Sequence, residues 1–157
     1  MSYFLQPLLR IRIMREDRAT GELTAARQAA AAAERRLEER RRELAEFEET
    51  KEARRDRIYD AIMGQQVSRE RIDIANEGVA RIDEEGVLKA DNLIRAEGEL
   101  KDCEAAVETA RVNLMVATKN RMKIDEHKSV WRAEEQAEQE HRAEGELEDF
   151  IVRKPEI

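Results

Sequence analysis

Few side chains in this sequence could do chemistry, and their spacing keeps them apart. The two histidines, His127 and His141, are fourteen residues apart. On one straight helix that is about 21 Å along the axis, too far for both to ligate one metal ion. The single cysteine, Cys103, excludes an internal disulfide framework and fits a reducing compartment. Its place in an apolar stripe makes it a small hydrophobe. The acidic run Asp83, Glu84 and Glu85 would need a desolvating cleft to raise a carboxyl pKa toward useful acid–base work, and otherwise it is solvated surface. Ala117-Thr118-Lys119 has no glycine-rich loop before it and is no phosphate cradle. The expectation is a protein with no catalytic residues, no cofactor and no metal, which binds, bridges or transmits force.

The elements that carry these residues are set by apolar spacing. A first stripe runs Ala19, Leu23, Ala26, Ala30, Ala33, Leu37, Arg40, Leu44, Phe47, Lys51, Arg54, Ile58, Ala61. A second runs Val79, Ile82, Gly86, Lys89, Leu93, Ala96, Leu100, Cys103, Val107, Ala110, Leu114, Ala117, Arg121, Ile124, Lys128, Trp131. Steps of three and four residues make one narrow seam on each helix, the width that zips one helix against another. The break between them, Gly64 to Ser68, predicts an all-α fold: a long antiparallel two-helix coiled-coil hairpin. Composition agrees, since 41% charged and 4% aromatic residues with only two prolines leave little material for a sheet or a thick core.

Helix one is expected over about 7–63, the turn over 64–67, and helix two over about 68–150 with a short C-terminal tail. Pro7 suits a first helical turn, Gly64 suits a left-handed stop and Ser68 suits an N-cap. With the turn centred near Gln66, Leu44 should lie about level with Leu88, within a turn either way. Gly78, Gly86 and Gly98 each weaken a helix by about 1 kcal/mol relative to alanine, so bending or an altered seam is expected early in helix two. Pro155 would close the chain. Trp131 ends the second seam and is expected to be a structural anchor packing on Phe4, Leu5 or Leu8, the alternative being an exposed anchor for a partner.

Charge restricts the partners. A net charge of −7 argues against nonspecific nucleic-acid binding, which draws on basic side chains displacing counterions. Nearly all the excess lies between Arg132 and Asp149, where eight acidic residues face two arginines for a net of −6. The start is locally basic, with Arg10, Arg12, Arg15 and Arg18 against Glu16 and Asp17. This reads either as solvated ion pairs of small value or as a patterned surface for a partner. No apolar run reaches membrane-spanning length. The apolar start is short and followed by arginines, unlike a signal peptide. A soluble, cytoplasmic protein without direct membrane insertion is expected.

The opening Leu8-Leu9-Arg10-Ile11-Arg12-Ile13-Met14-Arg15-Glu16-Asp17-Arg18-Ala19 is similar to the start of the YscO family, stalk proteins of bacterial type III secretion systems that resemble the flagellar protein FliJ. His127-Lys128-Ser129-Val130-Trp131-Arg132 followed by the Glu- and Gln-rich stretch from Glu134 to Glu140 also looks like that family, a lone aromatic preceding an acidic tail. The resemblance implies a central stalk like the coiled-coil part of a rotary ATPase gamma subunit. It would couple a hexameric export ATPase to the cytoplasmic domain of the export gate protein, at the cytoplasmic face of a bacterial secretion apparatus serving virulence or symbiosis. Some members bind export chaperones. On this reading Arg10, Arg12, Arg15 and Arg18 are ATPase-binding candidates and Ile62, Met63, Gln65, Val67 and Arg69 are export-gate-binding candidates, with the chain acting as a monomer. The same heptads would also permit a homodimeric coiled-coil scaffold or tether, and an export chaperone-binding or escort protein is a further alternative.

Overall fold

The computed structural model describes residues 1–153. It holds two helices, α1 (Gln6–Asp60) and α2 (Arg69–Val152), and no strand among the described residues, an all-α helical hairpin. No helix is long and apolar enough to cross a membrane among the described residues. The expected position of Pro155 lies outside them.

α1 stops three residues before the expected limit, and Ala61 to Gly64 form a turn. Gly64 carries the positive φ, 71°, a conformation that costs glycine least. The backbone therefore leaves the helix gradually: Met63 N–H still donates to the Tyr59 carbonyl at 2.9 Å, while Ile62 N–H makes a tighter three-residue bond to the same carbonyl. Ser68 caps α2, its hydroxyl accepting from the Arg71 N–H at 3.4 Å, the bond an N-cap serine offers the third helical residue.

Contacts group into two units. The turn unit comprises Thr24–Thr109 and packs Ala33, Leu37 and Phe47 of α1 with Ala75, Val79, Ile82 and Ala96 of α2 as its buried residues. Every second-seam position in this unit is buried or half-buried, and of the first seam only Ala61, just past the end of α1, is exposed. Gly86 shows why a glycine belongs in the seam. A Cβ built there would lie 2.7 Å from Cε1 of Phe47, so the ring sits on the α2 backbone. Gly86 makes room for Phe47, the only aromatic ring buried in this unit. This pairing puts Leu44 about level with Lys89, one residue from the expected partner. Ion pairs bracket the seam: Arg54 with Glu85 at 2.8 Å, Arg55 with Asp83 at 3.5 Å and Arg36 with Glu99 at 3.6 Å. The hydrogen bond from Arg54 holds the Glu85 carboxyl below the ordinary carboxylate range against an opposing desolvation, and Glu85 in turn raises the Arg54 guanidinium.

The terminal unit pairs residues 1–23 with residues from Ala110 onward. Its buried residues are Tyr3, Leu9, Ala19, Leu23 and Ala110. The α1 seam here starts ten residues earlier than the stripe read from Ala19, because Leu9, Arg12 and Glu16 continue the same three-and-four spacing. Polar contacts also cross it: Glu16 accepts from Thr118 at 3.3 Å and pairs with Arg121, which also binds Asp125. The Lys128 ammonium donates to Gln6 at 2.7 Å.

Candidate functional site

Two surfaces are candidates for contact, one in each unit, and each follows from where the seam leaves side chains over. In the terminal unit, residues 1–5 precede α1 and return an aromatic ring onto α2. Tyr3 is only 5% exposed. Its ring centroid lies 5.3 Å from that of Trp131, and its hydroxyl shares a 2.7 Å hydrogen bond with His127 Nδ1. Lys128 lies over the same ring at 5.9 Å. Trp131 is half-buried, and the ring it meets is Tyr3, whereas Phe4 turns edge-on toward His127 at 5.9 Å. A phenol offers both a face for the indole and a hydroxyl for the imidazole, which neither leucine nor phenylalanine can supply. Sequence reading began helix one at about residue 7 and so missed this residue; the signal was an aromatic six residues, close to two seam steps, before Leu9.

The four candidate arginines divide. Arg10, Arg15 and Arg18 are exposed, and Arg18 makes only an exposed pair with Glu22 at 3.1 Å. Arg12 is half-buried, and its Nε is buried without a hydrogen-bond partner. It borders a groove of about 220 Å³ with Arg15, Asn113, Val116, Ala117 and Asn120. Position 12 falls in phase with Leu9, Glu16 and Ala19 on the seam side of α1, so its stem packs where the other three point to water. On a helix of 3.6 residues per turn Arg10, Ile11, Met14, Asp17 and Arg18 share one outward face, with Arg15 at its edge beside the groove. Among these Met14 is 69% exposed, so the face is both basic and apolar.

Beyond Trp131, α2 continues for 21 residues to Val152. From Arg132 onward every described residue except Glu135 is exposed. This acidic stretch is held helical by its own pairs one turn apart, Arg142 with Glu138 at 3.3 Å and Gln136 with Glu140 at 3.0 Å.

In the turn unit, Ile62 is shared by two shallow cavities. One of about 430 Å³ is lined by Ile58, Ala61, Ile62, Ile74, Ala75 and Gly78 with Arg71, Glu77 and Arg81. The other, about 520 Å³, is lined by Tyr59, Ile62, Met63, Val67 and Ile72 with Asp56 and Asp60. Met63 is 70% exposed, Val67 is half-buried, and Gln65 and Arg69 are exposed without lining either cavity. The apolar part of this surface is wider than the sequence reading gave, since Tyr59, Ile72 and Ile74 are also exposed. Ile74 is out of phase with Ala75 and Val79, which marks it as facing away from the seam, whereas Ile72, three and seven residues before them, continues the seam spacing and is still 42% exposed.

No group of three or more His, Cys, Asp or Glu side chains is arranged to hold a metal ion among the described residues. Cys103 is a half-buried free thiol in the seam. Asp83 and Glu85 are engaged with arginines across the seam. The geometry is that of contact surfaces.

Comparison with known proteins bears on what those surfaces serve. No curated protein sequence matches the chain. A solved structure described as a YscO homolog, CT670 from Chlamydia trachomatis, is similar with a TM-score of 0.71 at 20% identity, over 98% of this chain and 96% of that one. At that identity the likeness speaks to the fold. The family model described as type III secretion protein YscO matches residues 5–153, which takes in both helices, the turn and the acidic stretch, and the chain therefore belongs to the YscO family of type III secretion proteins.

Proposed function

We propose that this protein is the central stalk of a type III secretion system, engaging the hexameric export ATPase through its terminal unit and the cytoplasmic domain of the export gate through its turn. The observation that carries the reading is the family match over residues 5–153. Two features of the chain are in keeping with it. The terminal unit offers exposed charge at Arg10, Arg15 and Arg18, suited to fast, selective encounter. The turn offers exposed apolar side chains, Met63 and Ile74 among them, of the kind that anchor a protein interface. On this reading one copy serves one ring, at the cytoplasmic face of the apparatus, with export chaperones as further partners.

The two halves of the proposal separate experimentally. Substituting Met63 and Ile74 by serine should leave ATPase stimulation by the purified protein intact and block export in cells carrying the variant. Loss of stimulation with those substitutions would remove the assignment of the turn to the gate. A coiled-coil tether would stimulate no ATPase at all.

A further inference from the structure

The acidic end of α2 has an apolar stripe that is exposed and without a partner among the described residues. Taking 100° per residue, Ala143, Leu147, Phe150 and Ile151 fall on one side of the helix. Phe150 is 74% and Leu147 63% exposed. Glu144, Glu146 and Glu148 border that stripe on both sides. A single helix of this length gains little from propensity alone and is stabilised when its apolar face is covered. Two such ends cannot cover each other, because each carries the net −6 of Arg132 to Asp149 and like charges would be brought together.

The complementary surface is in the same unit. The outward face of α1 carries Ile11 and Met14 as its apolar residues and, as its charges, Arg10, Arg15 and Arg18 against the one acidic residue Asp17. It is turned away from the seam, except that Arg15 at its edge also borders the groove formed with Asn113, Val116, Ala117 and Asn120 of α2. Apolar residues bordered by arginines match apolar residues bordered by glutamates.

We propose that the α2 end of one copy docks on the outward α1 face of a second copy, and reciprocally, so that two chains form a closed dimer through two equal contacts. The contact is isologous and therefore finite, which avoids the open chains that a head-to-tail arrangement would produce. The acidic end is about 30 Å long and the face from Arg10 to Arg18 about 12 Å at 1.5 Å per residue, so the end is long enough to cover the face completely. This inference does not depend on the stalk reading. The two meet at one point: a second copy and the ATPase would compete for the same three arginines, which makes the dimer the form held away from the apparatus.

Sedimentation velocity and native mass spectrometry of the full chain, without ATPase, test it. At tens of micromolar protein and low ionic strength the species should have twice the 18.2 kDa chain mass, and the dimer fraction should fall as salt screens the contact. Leu147→Ser with Phe150→Ser should leave a monomer. Arg10→Glu, Arg15→Glu and Arg18→Glu together should do the same, and adding Glu144→Lys, Glu146→Lys and Glu148→Lys to that variant should restore the dimer. Wild type at monomer mass throughout would overturn the proposal. So would a dimer that both sets of substitutions leave intact, or reversed charges that fail to restore association while far-ultraviolet circular dichroism is unchanged.

Discussion

Tyr3 and Arg12 show how a single side chain decides whether a terminal segment is ordered or loose. The phenol covers Trp131, binds His127 and lies beneath Lys128, so residues before α1 are fixed by one ring. Tyr3→Ala should therefore red-shift Trp131 emission and raise its quenching by iodide, measured on the only tryptophan in the chain; unchanged spectra would mean that the indole is sheltered by something else. Arg12 predicts an asymmetric response. Its Nε is buried and unpartnered, so Arg12→Met, which keeps the stem and removes the polar atom, should change stability by less than about 0.5 kcal/mol. Arg12→Glu should cost about 1–3 kcal/mol by burying a carboxyl group beside Glu16, read as a lowered thermal midpoint. The sequence displayed both residues but hid their roles. Four arginines in nine residues read as one basic patch, and only helix phase against Leu9 and Ala19 separates the packed one from the three in water.

The helices themselves were legible because a seam is a one-dimensional pattern. Alanine, leucine and valine at three-and-four spacing identify both partners and their direction without any knowledge of tertiary contacts. The glycines of α2 were less legible, since propensity alone counts the seam residue Gly86 and the exposed Gly98 as equal defects. The structure separates them. Gly86 faces Phe47 at a distance no Cβ tolerates, whereas nothing lies within 4 Å of a Cβ at Gly98. Gly86→Ala should destabilise by about 1–3 kcal/mol through overpacking against a buried ring, and Gly98→Ala should stabilise by up to about 1 kcal/mol, both by denaturant unfolding. The same unit carries a pH dependence with a defined sign. Because Arg54 lowers the Glu85 carboxyl, the pair contributes fully at neutral pH, and its contribution is lost as pH falls through that lowered value, below the ordinary glutamate range near about 4.3. Glu85→Gln should flatten the acid limb of a thermal-midpoint profile slightly, since both side chains are more than a third exposed.

At the scale of the whole molecule, membership of the YscO family is what the proposed coupling role rests on, with two candidate contact surfaces, one in each unit. What the sequence alone left open was which leftover side chains form those surfaces, because exposure depends on the partner helix. The turn surface gained Tyr59, Ile72 and Ile74, and the basic surface lost Arg12, once the seam was known. The central claim is that the terminal unit engages the export ATPase, and the most direct measurement is the rate of ATP hydrolysis by the purified hexamer from the same secretion system with and without this protein. The account predicts that wild type raises the rate and that Arg10→Glu, Arg15→Glu and Arg18→Glu together abolish the increase with helicity unchanged. Full stimulation by that triple variant, or no binding and no stimulation by wild type, would contradict it.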